Sequence, residues 1–514
     1  MISLALIVGA GFVLWVAVSL ARRTCMGAAV LSPIFYFSVL WWLAFPFHAF
    51  LLMQGWVDTQ QQVVLNQRSI ALAVWFSFAA MLLVYWGSRH NQPFGVDPLS
   101  KTVVAAPVDP NRLWFALMLL IMLSVFFLTQ TVYSTGTFAP FVGNEQNEAR
   151  VGRGPLFVLS ELFICGLIAV IPAALRQRSW RAFRSPLPLV FLAGLIFATY
   201  IGIVLTSRRI IVLPLFAFAL GWLVSRKKVN VLLASLLILV SVFATPSLQL
   251  LRYTLTPSSE PPPAARSGSN NRPSDSTPDS TNRLLPIASY CRYSNSQPTL
   301  QRAVRVVDAQ YSERRFSETS ARVAQWLCSE KGYPAASFIQ NIASSYGLVD
   351  HLSTYLERVS RTQFLFGVDR GVSWIYNVSL ALVPRAVWAD KPLHYGSVAI
   401  QKWLYPAMFY EHRATMTLPP SFVVDFSFGF GVPSFVVLCF AVGRLMVWAH
   451  VGLRGGLQPQ NDVRFVLSIF LMANMFNLVR GGTGFAQPFI LMLGVVTFMY
   501  GNRIIEAFSP RAAT

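Results

Sequence analysis

The stretch VPRAVWADKPLHYG, Val383 to Gly396, gathers Arg385, Asp390, Lys391 and His394 around Trp388 and Tyr395 in a chain that is only 12% charged. A guanidinium fork matches phosphate oxygens bidentately and keeps its charge at any biological pH, so Arg385 is a candidate phosphate ligand and Lys391 a second cation beside it. Trp388 and Tyr395 offer faces for sugars, or anchors at a membrane surface. Two further basic sites stand apart in sequence. Arg208 and Arg209 lie between two apolar runs, and Arg480 is followed by Gly481 and Gly482, which let a ligand approach the backbone closely. Each arginine could equally snorkel to lipid headgroups. Three cationic sites in so charge-poor a chain point to a bound polyanion.

Few groups could move a proton. Asp425, in PPSFVVDFSFGFG, stands at the mouth of an apolar run, where partial burial would raise its pKa towards a useful value. His394 and His412 are the alternatives, and His351 is more remote. Glu161 falls inside an apolar run, where a carboxylate either serves function or neutralises a neighbouring arginine. The sequence contains no Asp-x-Asp pair, no Walker A loop and no dinucleotide glycine motif. No cofactor is therefore expected, and no metal site. The five cysteines form no CxxC pattern; Cys291 and Cys328 could pair in an oxidising compartment or remain free thiols.

The elements that must hold these residues are membrane helices. The chain is 54% hydrophobic, with a mean hydropathy of +0.52. A bilayer core needs roughly 20 apolar residues per helix, which predicts an all-α polytopic protein of about eleven spans. These run over Ile2–Ala21, Ala28–Met53, Ile70–Trp86, Leu113–Thr131, Leu156–Leu175, Leu187–Thr206, Ile210–Val224, Val231–Ser247, Phe426–Val447, Phe465–Val479 and Pro488–Ile505. Four regions follow: a membrane region over 1–247, a disordered linker over 248–283, a large extracytoplasmic loop over 284–424, and a second membrane region over 425–514.

The linker reads TLTPSSEPPPAARSGSNNRPSDSTPDSTNR, too polar to bury apolar area against its ordering entropy. Within the large loop, GLVDHLSTYLERV has amphipathic helical spacing and suggests a small cap over the membrane domain. GVSWIYNVSLALVP, ended by Pro384, suits an interfacial or re-entrant helix.

Basic residues recur in every second loop: Arg22 and Arg23; Arg89, Lys101 and Arg112; Arg176 to Arg184; Arg226 to Lys228. Positive-inside counting places those loops in the cytoplasm, with the N-terminus, the large loop, and the short turns at Ser207–Arg209 and Val479–Gly484 outside. Topology and anionic lipid account for much of the net charge of +20, so nucleic acid is not an expected partner. Neither paired half-repeats nor broken helices, the marks of many transporters, are legible.

The stretch GVSWIYNVSLALVPRAVWADKP, with LPPSFVVDFSFGFGVPS and NLVRGG, resembles the bacterial oligosaccharide repeat-unit polymerases, the Wzy-type O-antigen polymerases, which are related to the O-antigen ligases. Pro384, Arg385, Trp388, Lys391 and Pro392 fit that family's Pro-Arg-x-x-Trp-x-x-Lys-Pro element, and Arg385 to Gly396 fits its Arg-x10-Gly spacing. The arginines of TSRR also resemble the family's. Asp425 stands where many members carry glutamate, which keeps the charge and shortens the reach.

The resemblance implies a metal-independent inverting glycosyltransferase of the inner membrane. Its substrate would be an undecaprenyl-pyrophosphate-linked oligosaccharide, and a chain-length-regulating membrane protein is an implied partner. Asp425, His394 or His412 would be the base. Arg208, Arg209, Arg385, Trp388, Lys391, Tyr395 and Arg480 would hold pyrophosphate and glycan. A ligase-type transferase and a lipid-linked oligosaccharide flippase are the alternatives.

Overall fold

The computed structural model describes residues 2–22, 26–54, 56–57, 67–89, 154–176, 192–196, 208–225, 229–255, 346–378, 396–406, 420–455 and 462–501, with a few isolated positions between them. Every regular element among the described residues is helical. In chain order these are α1 (Ile2–Ala21), α2 (Met26–Val30), α3 (Pro33–Trp42), a π-helix (Leu43–Phe47), α4 (His48–Met53) and α5 (Gln67–Arg89). Then come α6 (Gly154–Arg176), α7 (Arg208–Val224), α8 (Val231–Leu255), α9 (Val349–Arg358), α10 (Arg361–Phe366), α11 (Val372–Val378) and α12 (Gly396–Leu404). The chain closes with α13 (Phe422–Phe430), α14 (Val432–Arg454), α15 (Asp462–Ala473), α16 (Met475–Gly481), a 3-10 turn (Gly482–Phe485) and α17 (Ala486–Tyr500).

Four helical segments are long and apolar enough to cross a membrane: α1, the continuous run Pro33–Met53, α5 and α14. The bent pair α15–α16 makes a fifth if it counts as one span. Among the described residues this is the extent of the eleven expected spans. Shorter apolar helices lie at Glu161–Leu175, Val212–Val224, Val231–Phe243 and Ala486–Tyr500. Large apolar side chains face outward, such as Ile7 at 68% exposure and Leu232 at 76%, as a lipid-facing surface requires. The structure is that of a multi-pass, all-helical membrane protein.

Between such helices there is little hydrophobic gain over lipid, so close backbone contact must hold them together. The principal pair, α5 against α14, achieves this with glycine: Gly87 lies on the carbonyl of Phe440, and Gly443 on the carbonyl of Val84. Buried aromatic polar groups tie distant helices through hydrogen bonds. Trp41 Nε1 donates to the Ser77 carbonyl at 3.1 Å, and the Tyr500 hydroxyl donates to the Ala169 carbonyl at 2.6 Å.

One span is locally widened and two are broken, where straight spans are the expectation from sequence. Pro46 lacks the N–H that would bond back one turn, and the chain widens into a π-helix there, whose Ala44 carbonyl takes the N–H of Leu348 at 3.1 Å. The expected span Phe426–Val447 is two helices, α13 and α14, parted at Gly431 with φ +69°. The expected span Phe465–Val479 bends by 55° between α15 and α16. A break in lipid frees backbone groups that must find protein partners. At Gly431 the Ser434 hydroxyl donates to the Phe426 carbonyl at 2.6 Å, and Val368 N–H to the Phe428 carbonyl at 2.7 Å. At the bend the Asn474 amide donates to the Phe470 carbonyl at 3.1 Å.

The amphipathic stretch expected to cap the membrane domain becomes α9, whose residues Val349 to Tyr355 are all buried and which packs against α5. Helix α8 continues past the expected span end at Ser247 to Leu255; residues 256–283 of the expected linker lie outside the described residues. Cys291 and Cys328 lie outside them too.

Candidate functional site

The start of α13 and the turn that follows α16 meet at Asp425. Helix α13 is apolar along its length except for Ser427 and this carboxylate, which sits in the first turn, 1% exposed. Ser421 caps the helix, its hydroxyl accepting the N–H of Val424 at 3.2 Å, and it takes a strained φ of +82° to do so. The same residue's N–H donates to the carbonyl of Arg480 at 2.8 Å. Directly beyond Arg480, Gly482 turns with φ +51°, its Cα so close to the Asp425 carboxylate that no side chain fits there. Trp374 of α11 donates its Nε1–H to the Asp425 carbonyl at 3.1 Å. Two residues 55 positions apart, the candidate base and a candidate phosphate ligand, are thus held at one place by backbone.

Arg480 is half-buried, its guanidinium 5.4 Å over the ring of Phe476. Phe476 in turn meets Tyr346 edge-on at 4.9 Å. That ring contact sets the approach to α9 beside the arginine, whose charge acts on both Tyr346 and His351. In α9, His351 Nδ1 shares a hydrogen bond with the Tyr405 hydroxyl at 2.7 Å, and its Nε2 is buried with no hydrogen-bond partner. The His351 backbone N–H donates to Asp350 Oδ1 at 2.9 Å. Burial pushes the His351 imidazole below the ordinary histidine range, the Arg480 charge lowers it further, and Asp350 opposes both. Burial likewise raises the Tyr405 and Tyr346 hydroxyls.

His48 is the residue that reading the sequence misses. It follows the π-helix, is 1% exposed, and neither ring nitrogen has a hydrogen-bond partner. Gly347 leaves room for it, since a side chain there would occupy the space of the His48 ring. Asp350 and His351 act on it electrostatically. An ionisable residue inside an apolar run, two positions after a proline, is the signal that could have marked it.

The remaining candidates fall elsewhere. Arg208 and Arg209 are the first two residues of α7, not a turn between spans. Arg385, Trp388, Lys391, Tyr395, His394 and His412 lie outside the described residues. Glu161 is within α6, as expected. No three metal-ligating side chains converge among the described residues.

Chemically, the arrangement sets a buried carboxylate and a half-buried arginine on adjoining helix ends, with a buried imidazole within reach of the arginine's charge. It could take up a proton and hold an anion side by side. The class defined by the fold is a multi-pass membrane protein, here with a buried carboxylate and a half-buried arginine held together by backbone. The chain matches no family model, and no curated protein or solved structure is significantly similar to it.

Proposed function

We propose that the chain is an inverting glycosyltransferase that polymerises oligosaccharide repeat units carried on undecaprenyl pyrophosphate at the periplasmic face of the bacterial inner membrane. The observation that supports this most is the joining of Asp425 and Arg480 through the Ser421 N–H and the Gly482 turn. In this reading a hydroxyl of the acceptor repeat unit loses its proton to Asp425 and attacks the anomeric carbon of the donor glycan. The bond from that carbon to the pyrophosphate oxygen breaks, and the lipid pyrophosphate leaves with its charge held by Arg480, Arg385 and the Arg208–Arg209 pair. His394 and His412 are the alternative bases. Trp388 and Tyr395 stack on sugar, and Lys391 adds a second cation. The cations carry the leaving-group role without a metal ion or other cofactor.

The reading includes a topology of about eleven spans, N-terminus and 284–424 loop periplasmic, C-terminus cytoplasmic, with a chain-length-regulating membrane protein as partner. Reporter fusions at Ser274 and Ser509 should report opposite compartments, and identical signals would overturn the orientation. The decisive experiment supplies purified protein in liposomes with a synthetic lipid-pyrophosphate oligosaccharide. A ladder of lengthened glycans is the expected product. Transfer of a finished polymer to a lipid core with no ladder would mean a ligase.

A second reading has specific support. The π-helix at Pro46 and the breaks at Gly431 and Asn474 are of the kind that transporters place around a substrate, which favours a flippase for the same lipid-linked sugar. Movement of labelled substrate across the liposome without new glycosidic bonds would establish that alternative.

A further inference from the structure

Two short helices beside the Gly431 break expose a cluster of large apolar side chains. Leu365 and Phe366 end α10, Val372 and Ile375 lie three residues apart on α11, and Phe430 ends α13; all are between 42% and 68% exposed. Backbone brings them together. Gly431 lies against the Leu365 carbonyl, Gly367 against the Gly429 carbonyl and Gly371 against the Phe430 ring, each too close for a side chain. Trp374 of α11 meets Phe430 edge-on at 5.3 Å and donates to the Asp425 carbonyl, so the level at which this hairpin sits is also the level of Asp425.

Aromatic contacts fix that level. Phe364 of α10 meets Phe76 at 5.6 Å, and Phe76 stacks on Phe435 at 4.7 Å. Phe435 is the fourth residue of α14, whose 23 residues make it about 34 Å long against a hydrocarbon core of about 30 Å. Helix α10 therefore lies beside the first turn of a span, where hydrocarbon gives way to headgroups. At six and seven residues, α10 and α11 are too short to cross a bilayer. Each has its own start: Ser360 and Gln363 form a capping box, and the Asp369 carboxylate accepts the N–H groups of Gly371 and Ser373 at 3.0 and 2.9 Å. Over residues 346–378 three exposed arginines, Arg358, Arg361 and Arg370, stand against one exposed acid, Glu357.

We propose that α10 and α11 are an interfacial foot that rests on the anionic lipid of one leaflet. Leu365, Phe366, Val372 and Ile375 enter the edge of the acyl chains, and Arg361 and Arg370 lie among the phosphates. Short helices that carry exposed apolar side chains beside arginines match a boundary that is oil on one side and charged on the other, and an arginine stem can cover apolar surface while its head stays wet. The excess of exposed arginine over acid selects anionic lipid over zwitterionic. Through Trp374 the foot sets Asp425 at the height of the headgroups. The inference needs only the membrane-spanning architecture and is independent of the transferase reading.

The full chain with the photoreactive residue p-benzoylphenylalanine in place of Phe366, in vesicles of equal phosphatidylglycerol and phosphatidylcholine, tests it. After irradiation, mass spectrometry of the chain should show lipid adducts with phosphatidylglycerol about fivefold in excess, the weight of one arginine at an anionic surface. The same residue at Leu14, in the interior of α1, should take the two lipids equally. Arg361→Gln combined with Arg370→Gln should remove the excess at Phe366 and leave the adducts. Cross-links from Phe366 to another segment of the chain or to a second copy, or no adduct at all, overturn the proposal. So do equal yields of the two lipids at Phe366, and an excess at Leu14 as large as that at Phe366, which would mean general enrichment of anionic lipid around the protein. Val372, replaced in the same way, gives the same readings should the Phe366 variant not fold.

Discussion

The N–H of Ser421 donates to the carbonyl of Arg480 at 2.8 Å, and this single backbone bond sets the start of α13 against the end of α16. Asp425 is one helical turn from the first partner, and Gly482 is two residues from the second. Because Gly482 has φ +51° and lies on the Asp425 carboxylate, Gly482→Ala must both adopt a left-handed backbone, at about 1–2 kcal/mol, and displace the acid. At Gly481 a Cβ would meet nothing within 4 Å. Gly482→Ala should therefore lower the unfolding temperature and, if the proposed chemistry holds, abolish most turnover, whereas Gly481→Ala should do neither. Thermal unfolding and glycan ladders on the pair check this.

Asp425→Asn keeps the size of the side chain and removes the proton acceptor. If the proposed chemistry holds, it should reduce chain extension by about 10²–10³-fold at unchanged expression, as loss of an essential group at a charge-stabilising site does. Arg480→Ala and Arg385→Ala should fall in the same range, with lysine at either position restoring only part because the bidentate fork is lost. Ladders measured at matched protein levels decide. Near-normal ladders from Asp425→Asn with a severe loss from His394→Ala or His412→Ala would transfer the base to that histidine.

The neighbours of His351 are Tyr405, Asp350, Arg480 and His48, and burial with the Arg480 charge keeps its folded pKa below the ordinary value of about 6.5. The sign follows directly. Above about pH 6.5 the ring is neutral in both folded and unfolded chain and costs nothing; as pH falls, the unfolded chain takes up the proton first and stability is lost through the folded pKa. Unfolding temperatures between pH 7.5 and 5 should thus drop less steeply in His351→Gln than in the wild-type chain. Parallel profiles would show that the imidazole is already charged or is not buried in the folded protein.

Helix α5 meets α14 through glycine, and a Cβ on Gly443 would fall on the carbonyl of Val84, backbone that cannot swing aside. Gly443→Ala should push the helices apart and cost about 1–3 kcal/mol, the range for overpacking. Gly494, in α17, has nothing within 4 Å of its would-be Cβ, so Gly494→Ala should be neutral or stabilise by about 0.5–1 kcal/mol through helix propensity. Comparison of the two unfolding temperatures in one detergent checks the assignment. Equal effects would mean that crossing distance does not limit stability.

Local chemistry made part of the protein legible in its residues alone. The apolar run Ile2–Ala21, closed by Arg22 and Arg23, is α1 to the residue, because hydrophobic length and a basic stop are properties of the segment itself. Asp425 and Arg480 could be singled out for the same reason: a charge in an apolar run is conspicuous wherever the chain later puts it. Hydropathy averages over a window, however, and a bent helix averages like a straight one, so the breaks at Gly431 and Asn474 were invisible until backbone partners such as Ser434 could be seen to absorb them. The pairing of Arg480 with Ser421, and of His48 with a glycine 299 positions away, depends on which helices lie side by side. That is decided by packing and by the need to satisfy every freed backbone group away from water, and so only the tertiary structure could bring these scattered polar residues together.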